Sequence, residues 1–188
     1  MAPALGAISP DPALLRGVEE ELGQKIASCF HCSKCASGCP VAFAMDVQPN
    51  KVVRLVQMGL KDEVLRSASI WLCASCETCV TRCPNQVDIP AMMDVLRQMA
   101  IREKAPAADP AIPAFHAAFL SSVGKHGRVH DLGMLTTYKV KTRKRGDALK
   151  DAGLGWEMFK RGKLRILPSK ARETKQIRKM LREIVDRI

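Results

Sequence analysis

Two runs of four cysteines govern this chain of 188 residues. Cys29, Cys32, Cys35 and Cys39 recur as Cys73, Cys76, Cys79 and Cys83, each displaced by the same 44 residues, and a proline follows the fourth cysteine both times, Pro40 and Pro84. One offset shared by so many positions reads as two copies of a loop-then-helix unit, and it predicts a core made of both copies about a pseudo-twofold axis. No charged stretch followed by an apolar one opens the chain, so the expected location is the cytoplasm, where thiols stay reduced and a disulfide framework is disfavoured. Structural zinc takes its ligands as two pairs, which leaves the third cysteine of each group and the prolines without a reason. A thioredoxin-like Cys-x2-Cys site would sit beside a strand-helix-strand pattern, and none is present.

Each group reads Cys-x2-Cys-x2-Cys-x3-Cys-Pro, the bacterial ferredoxin spacing for a 4Fe-4S cubane. The expected cofactors are therefore two 4Fe-4S clusters, with all eight cysteines as metal ligands. In two-cluster ferredoxins the fourth cysteine of a run ligates the other cluster. That rule assigns Cys29, Cys32, Cys35 and Cys83 to cluster 1, and Cys73, Cys76, Cys79 and Cys39 to cluster 2. Phe30 and Trp71 are expected to shield the clusters from water, and His31 to stand behind the ligands or at the surface. Met92, Met93 and Met99 share helical spacing with Leu96, which cannot be a ligand, so they read as core.

Around these groups the pattern is helical. Leu14, Leu15, Val18, Leu22 and Ile26 predict a helix from Asp11 or Pro12 to about Ser28. Pro49 opens a second, with Val52, Val53, Leu55 and Val56, and Lys61 to Ala68 a third. Asp88-Ile89-Pro90 is a helix start, since aspartate caps free amides and proline is tolerated in the first turn. Ile112 to Val123 reads as helix, 124 to 133 as loop, and Lys139 to Lys150 as basic and poorly periodic. Residues 173 to 188 carry an apolar stripe of Ile177, Met180, Leu181, Ile184, Val185 and Ile188 that calls for a partner surface. The predicted fold is mainly α: a flexible arm over 1–10, an α-helical dicluster ferredoxin-like domain over 11–104, and a basic, partly helical extension for partner docking over 105–188.

Charge follows the same division. The formal net charge is +11, and residues 125 to 188 alone hold 19 of the 30 Lys and Arg but 7 of the 19 Asp and Glu, a local +12. No Gly-x-Gly-x-x-Gly or Walker-type loop supports nucleotide or flavin binding, and no Gly-x-Ser-x-Gly elbow occurs. With every cysteine spent on clusters no thiol remains as a nucleophile, so substrate chemistry is expected on another protein of the complex. No run approaches the roughly 18 apolar residues of a membrane span.

The spacing of the two runs, the stretch Ile70-Trp71-Leu72-Cys73-Ala74-Ser75-Cys76-Glu77-Thr78-Cys79 with Arg82-Cys83-Pro84, and Val87-Asp88-Ile89-Pro90 resemble the C-type subunit of heterodisulfide reductase and its bacterial relatives. The resemblance covers roughly residues 10 to 104. It implies a non-catalytic component that relays single electrons between a flavin-bearing A-like subunit and a B-like subunit whose Cys-Cys-Gly domains act on the disulfide. This chain has no Cys-Cys-Gly motif and so resembles the C-type subunit alone, not a fusion with the B-like one. One alternative keeps the clusters and changes the complex, to a glycolate, lactate or glycerol-phosphate oxidising one. A weaker one is nucleic-acid binding, from Lys139, Lys141, Arg143, Lys144 and Arg145, with only Tyr138 beside them for stacking.

Overall fold

The computed structural model describes residues 10–142, 147–163 and 167–185. Among these the secondary structure is helical and no strand occurs. The chain divides into two compact units, Met1–Asp109 and Pro110–Ile188. No helix of the described residues is long and apolar enough to cross a membrane.

The first unit carries the cysteines. Its helices are α1 (Pro12–Leu22), α2 (Lys34–Ser37), α3 (Pro49–Gln57), α4 (Lys61–Arg66), α5 (Ser69–Leu72), α6 (Thr78–Arg82) and α7 (Ile89–Arg102). Helix α7 packs against α1, α4, α5 and α6. Its apolar positions Met92, Met93 and Leu96 are fully buried with Leu14 and Val18 of α1, Val52, Val53 and Val56 of α3, and Ile70 of α5. Truncating such a side chain, for example Leu96→Ala, costs about 2–5 kcal/mol. The start of α7 is as its sequence predicts: Asp88 accepts from the Ala91 amide at 2.9 Å, and Pro90 stands in the first turn.

Helix α1 ends earlier than its periodicity suggests. Gly23 takes a left-handed conformation (φ 70°) and donates to the Glu19 carbonyl, which closes the helix at Leu22. The Glu19 carboxylate then accepts from the amides of Ile26 and Ala27, at 2.7 and 2.9 Å. Ile26 is thereby buried from a turn, and the segment leading to Cys29 is held without being helical.

The second unit contains α8 (Ala111–His126), α9 (Asp131–Thr142), α10 (Asp147–Lys160) and α11 (Thr174–Val185). One expectation is corrected. Segment 124–133 is mostly helical because α8 runs through Gly124 and stops only at Gly127 (φ 71°), and Asp131 opens α9. The basic stretch is helical where described: Lys139 and Lys141 occupy the last turn of α9, where cations complement the helix dipole. Arg143, Lys144 and Arg145 lie outside the described residues, as do residues 1–9 of the expected arm and Ile188 of the expected stripe.

Part of the stripe of α11 has a partner within its own unit, while Met180 of the same stripe is 61% exposed. A side chain at Gly127 would meet Ile177 at 3.3 Å and one at Gly124 would meet Leu181 at 3.8 Å, so both apolar side chains lie on α8. Arg178 donates from Nε to the Gly124 carbonyl at 3.0 Å, and the Thr174 hydroxyl donates to the His126 carbonyl at 3.2 Å. The absence of glycine side chains on α8 makes this close approach possible.

Candidate metal centre

The two cysteine loops repeat in three dimensions. His31 and Ser33 have φ of 54° and 61°, and the residues 44 further on, Ser75 and Glu77, have 49° and 59°. Left-handed backbone costs a non-glycine residue roughly 1–2 kcal/mol, so four such residues at matched positions mark a loop shape imposed for a purpose. Helices α2 and α6 open at the equivalent Lys34 and Thr78. Equivalent bonds follow: Ala36 N–H to Ser33 O and Val80 N–H to Glu77 O, then Cys39 N–H to Ala36 O and Cys83 N–H to Val80 O. The helices α2 and α6 pack on each other, with the Arg82 side chain lying over Gly38, its counterpart in the repeat. Contact between equivalent positions is what a pseudo-twofold axis produces.

All eight cysteines are free thiols. Cys29, Cys32 and Cys35 line one hollow together with Cys83 of the second run, beside Pro84, Val87 and Asn50. Cys39, the sequence neighbour of the first three, is not in its lining. Four cysteines around one hollow are the donor set of a cubane, and Asn50 beside them braces the first loop, its Nδ2 donating to the Ser33 hydroxyl at 3.0 Å. Two backbone amides point at its sulfurs, His31 N–H to Cys29 Sγ at 3.5 Å and Val87 N–H to Cys83 Sγ at 3.3 Å. In the second loop the Thr78 hydroxyl lies 3.4 Å from Cys76 Sγ, where it can donate to a thiolate. Among the described residues no three His, Cys, Asp or Glu side chains converge on a single ion. A cubane does not ask for that, because its thiolates bind separate irons.

Electrostatics divide the thiols by position. Burial pushes Cys79 up to about 11, reinforced by the neighbouring Cys73, and burial likewise raises Cys35 above the ordinary thiol value. Cys76, at the surface, is lowered by its hydrogen bonds to the Thr78 hydroxyl and amide. The inner thiols are therefore poor thiolates until a metal replaces their protons.

Sequence reasoning missed the residues that hold the loops. The Asp46 carboxylate accepts from the Ser69 hydroxyl at 2.5 Å and from the amides of Val47, Ala68 and Ser69, tying the strap after Cys39 to α5 and hence to Cys73. Arg97 of α7 donates to the carbonyls of Ile70 and Cys73. Gln57 of α3 donates to the Ile26 carbonyl at 3.1 Å, and its Oε1 lies 2.7 Å from His31 Nε2. Gln24 spans the runs, accepting from the Asp88 amide at 2.8 Å and donating to the Gln86 carbonyl at 2.7 Å. The only sequence signal among these is a charged Arg97 beside Leu96 on a core helix. Trp71 is buried as expected, and Phe30, though 73% exposed, lines the hollow of Cys29, Cys32, Cys35 and Cys83.

Comparison with known proteins points to a two-cluster domain. Residues 25–87 match the 4Fe-4S dicluster domain family. The chain is 33% identical over 85 residues to the C-type iron-sulfur subunit of CoB–CoM heterodisulfide reductase from Methanopyrus kandleri, covering 45% of this chain and 44% of that one. It is 37% identical over 84 residues to the second C-type iron-sulfur subunit of the Methanocaldococcus jannaschii enzyme, covering 45% of each. It is 32% identical over 142 residues to the C-type subunit of ferredoxin:CoB-CoM heterodisulfide reductase from Methanosarcina acetivorans, covering 76% of this chain and 51% of that one. The chain thus spans about half the length of the curated relatives it matches. Its cysteine-bearing part is a dicluster domain that binds two 4Fe-4S clusters, and over that part the chain is similar to the C-type iron-sulfur subunits of heterodisulfide reductases.

Proposed function

We propose that this chain is the electron-transfer component of a heterodisulfide reductase-like complex, standing between a flavin- and iron-sulfur-bearing A-like subunit and a B-like subunit with Cys-Cys-Gly domains. Cys29, Cys32, Cys35 and Cys83 hold one cluster in this reading, and Cys73, Cys76, Cys79 and Cys39 the other. The observation that carries it is the shared hollow of Cys29, Cys32, Cys35 and Cys83, which draws its fourth thiol from the other run. Packing of α2 against α6 brings the two loops side by side, as a relay requires.

Each 4Fe-4S cluster supplies a one-electron couple, with a potential anywhere between about −700 and +450 mV according to its surroundings. The chain's own residues set those surroundings. Amides of His31 and Val87 and the Thr78 hydroxyl address the sulfurs, and burial of Cys35 and Cys79 keeps water from the inner faces. The basic C-terminal unit serves for docking to an acidic partner face, with its cations speeding encounter. Tyr138 is engaged edge-to-face with Phe115 at 5.6 Å, which takes it away from base stacking and leaves nucleic-acid binding with charge alone.

The test is anaerobic purification from the native source, with about eight irons and eight sulfides expected per chain. A co-purifying protein with Cys-Cys-Gly repeats supports the assignment of the complex; a flavoprotein oxidase in its place favours the glycolate, lactate or glycerol-phosphate alternative. Cys39→Ala then tests the cross-over. Paramagnetic resonance of the reduced variant should show damage to the cluster of Cys73, Cys76 and Cys79, and damage to the cluster of Cys29, Cys32 and Cys35 alone would refute it.

A further inference from the structure

The two halves of the dicluster domain repeat each other in backbone but not in charge. Each half anchors the peptide carbonyl three residues ahead of its first cysteine with a side chain from the helix that follows its loop. In the first half Gln57 Nε2 donates to the Ile26 carbonyl. In the second Arg97 Nε donates to the Ile70 carbonyl, and Ile26 and Ile70 stand the same 44 residues apart as the cysteines. Arg97 also reaches Cys73 itself, whose carbonyl accepts from Nη2 at 2.8 Å. Equivalent places are thus neutral beside one cluster loop and cationic beside the other.

We infer that Arg97 is a positioning residue that locks the second loop and biases the electron toward the cluster of Cys73, Cys76 and Cys79. The inference rests on the two-cluster reading but not on the cross-over, because Cys73 goes with Cys76 and Cys79 in either ligand scheme. The step concerned is the simplest possible: a one-electron donor passes one electron to an oxidised cluster, no bond breaks and no proton moves. The site gains one negative charge, and a fixed cation nearby stabilises the reduced form.

Other charges must be weighed against Arg97. Asp94 pairs with it at 2.6 Å, but the Asp94 side chain is 52% exposed and that of Arg97 17%, so water screens the anion more than the cation. Lys34 beside Cys35, Glu77 beside Cys76 and the Asp46 carboxylate on Ala68 and Ser69 would bias the electron the opposite way, while Arg82 over Gly38 stands between the two loops, and all four residues are exposed. A pair interaction in bulk water is roughly a quarter of that at the effective dielectric of about 20 near a protein. Arg97 is the least exposed of these charges and is fixed by two bonds to the backbone of the second loop, so its field is screened least. Amide bonds to sulfur occur at Cys29 of the first run and at Cys83 of the second, but those are dipoles and not a net charge.

The experiment is an anaerobic redox titration of the full chain followed by paramagnetic resonance, on the wild type, Arg97→Gln, Arg97→Lys and Gln57→Arg. Arg97→Gln, which copies the first half, should weaken the electron's hold on the second cluster about tenfold, ~59 mV for one electron. Arg97→Lys keeps the charge and should keep most of the potential even if the loop loosens. Gln57→Arg should strengthen the hold of the first cluster in the same proportion. If Arg97→Gln fails to retain iron, Gln57→Arg decides alone, and no upward shift there overturns the inference. Unchanged potentials in a variant that keeps all its iron overturn it as well, while leaving the two-cluster reading untouched. A wild type without two cubanes would instead overturn that underlying reading.

Discussion

Removing the Asp46 carboxylate tests how the two runs are braced against each other. Its Oδ1 accepts from the amides of Val47 and Ser69 and from the Ser69 hydroxyl, and its Oδ2 from the amide of Ala68. In Asp46→Ala the Val47 amide keeps the Ser69 hydroxyl as acceptor, at 2.9 Å, and the exposed Ala68 bond can be replaced by water. The Ser69 amide belongs to a residue with 0% exposure and has no such substitute. A buried donor left unmade costs about 1–3 kcal/mol, and the remaining bonds to a charged acceptor add a few tenths each once solvent is allowed for, giving ~2–3 kcal/mol in all. Since α5 leads directly into Cys73, the cluster of that loop should also release its iron faster to a chelator. Anaerobic urea unfolding reads the first quantity and a colorimetric chelator the second. Asp46→Asn, which keeps one carbonyl acceptor, should lose roughly half as much. The pH dependence has a definite sign. Burial pushes the Asp46 carboxyl up, but its hydrogen bonds from Ser69, Ala68 and Val47 outweigh that and hold it below the ordinary carboxylate value. The stabilisation is therefore complete above the unfolded pKa of about 3.9 and disappears as pH falls through the lower folded value. A loss under ~0.5 kcal/mol with unchanged iron release would refute the bracing argument.

Two glycines of the first unit should respond oppositely to alanine. Gly59 has φ +71°, and a Cβ there would sit 2.5 Å from the Asp11 carbonyl oxygen, so Gly59→Ala should cost at least ~2 kcal/mol in urea unfolding. Gly17, inside α1 with nothing within 4 Å, should gain about 0.5–1 kcal/mol as alanine. Deleting residues 174–188 should leave iron content and cluster spectra unchanged, because α11 belongs to the second unit, while circular dichroism melting shows that unit loosened by loss of the Ile177 and Leu181 contacts. Iron loss on that deletion would show that the helix supports the cluster domain.

What the sequence made legible is what local chemistry decides. The cysteine spacing is covalent, so two complete runs at one offset imply the cofactor whatever surrounds them, and Asp88 with Pro90 start α7 through bonds closed within three residues. The end of α1 was not legible, because the apolar positions continue past Gly23 to Ile26 in helical phase, and only the Glu19 carboxylate, returning to Ile26 and Ala27, explains why Ile26 buries from a turn. Asp46 and Arg97 were hidden for a related reason: their partners lie 22 to 27 residues away, and nothing in their neighbours in sequence marks those distances. The stripe of α11 was legible, but its partner was not. A periodic apolar face states that a helix must be covered, and whether the cover comes from another protein or from α8 depends on glycines at 124 and 127 that permit close approach. The same gap separates the two halves of the cluster site. Spacing makes them equal, and the contacts of Gln57 and Arg97 make one equivalent anchor neutral and the other cationic.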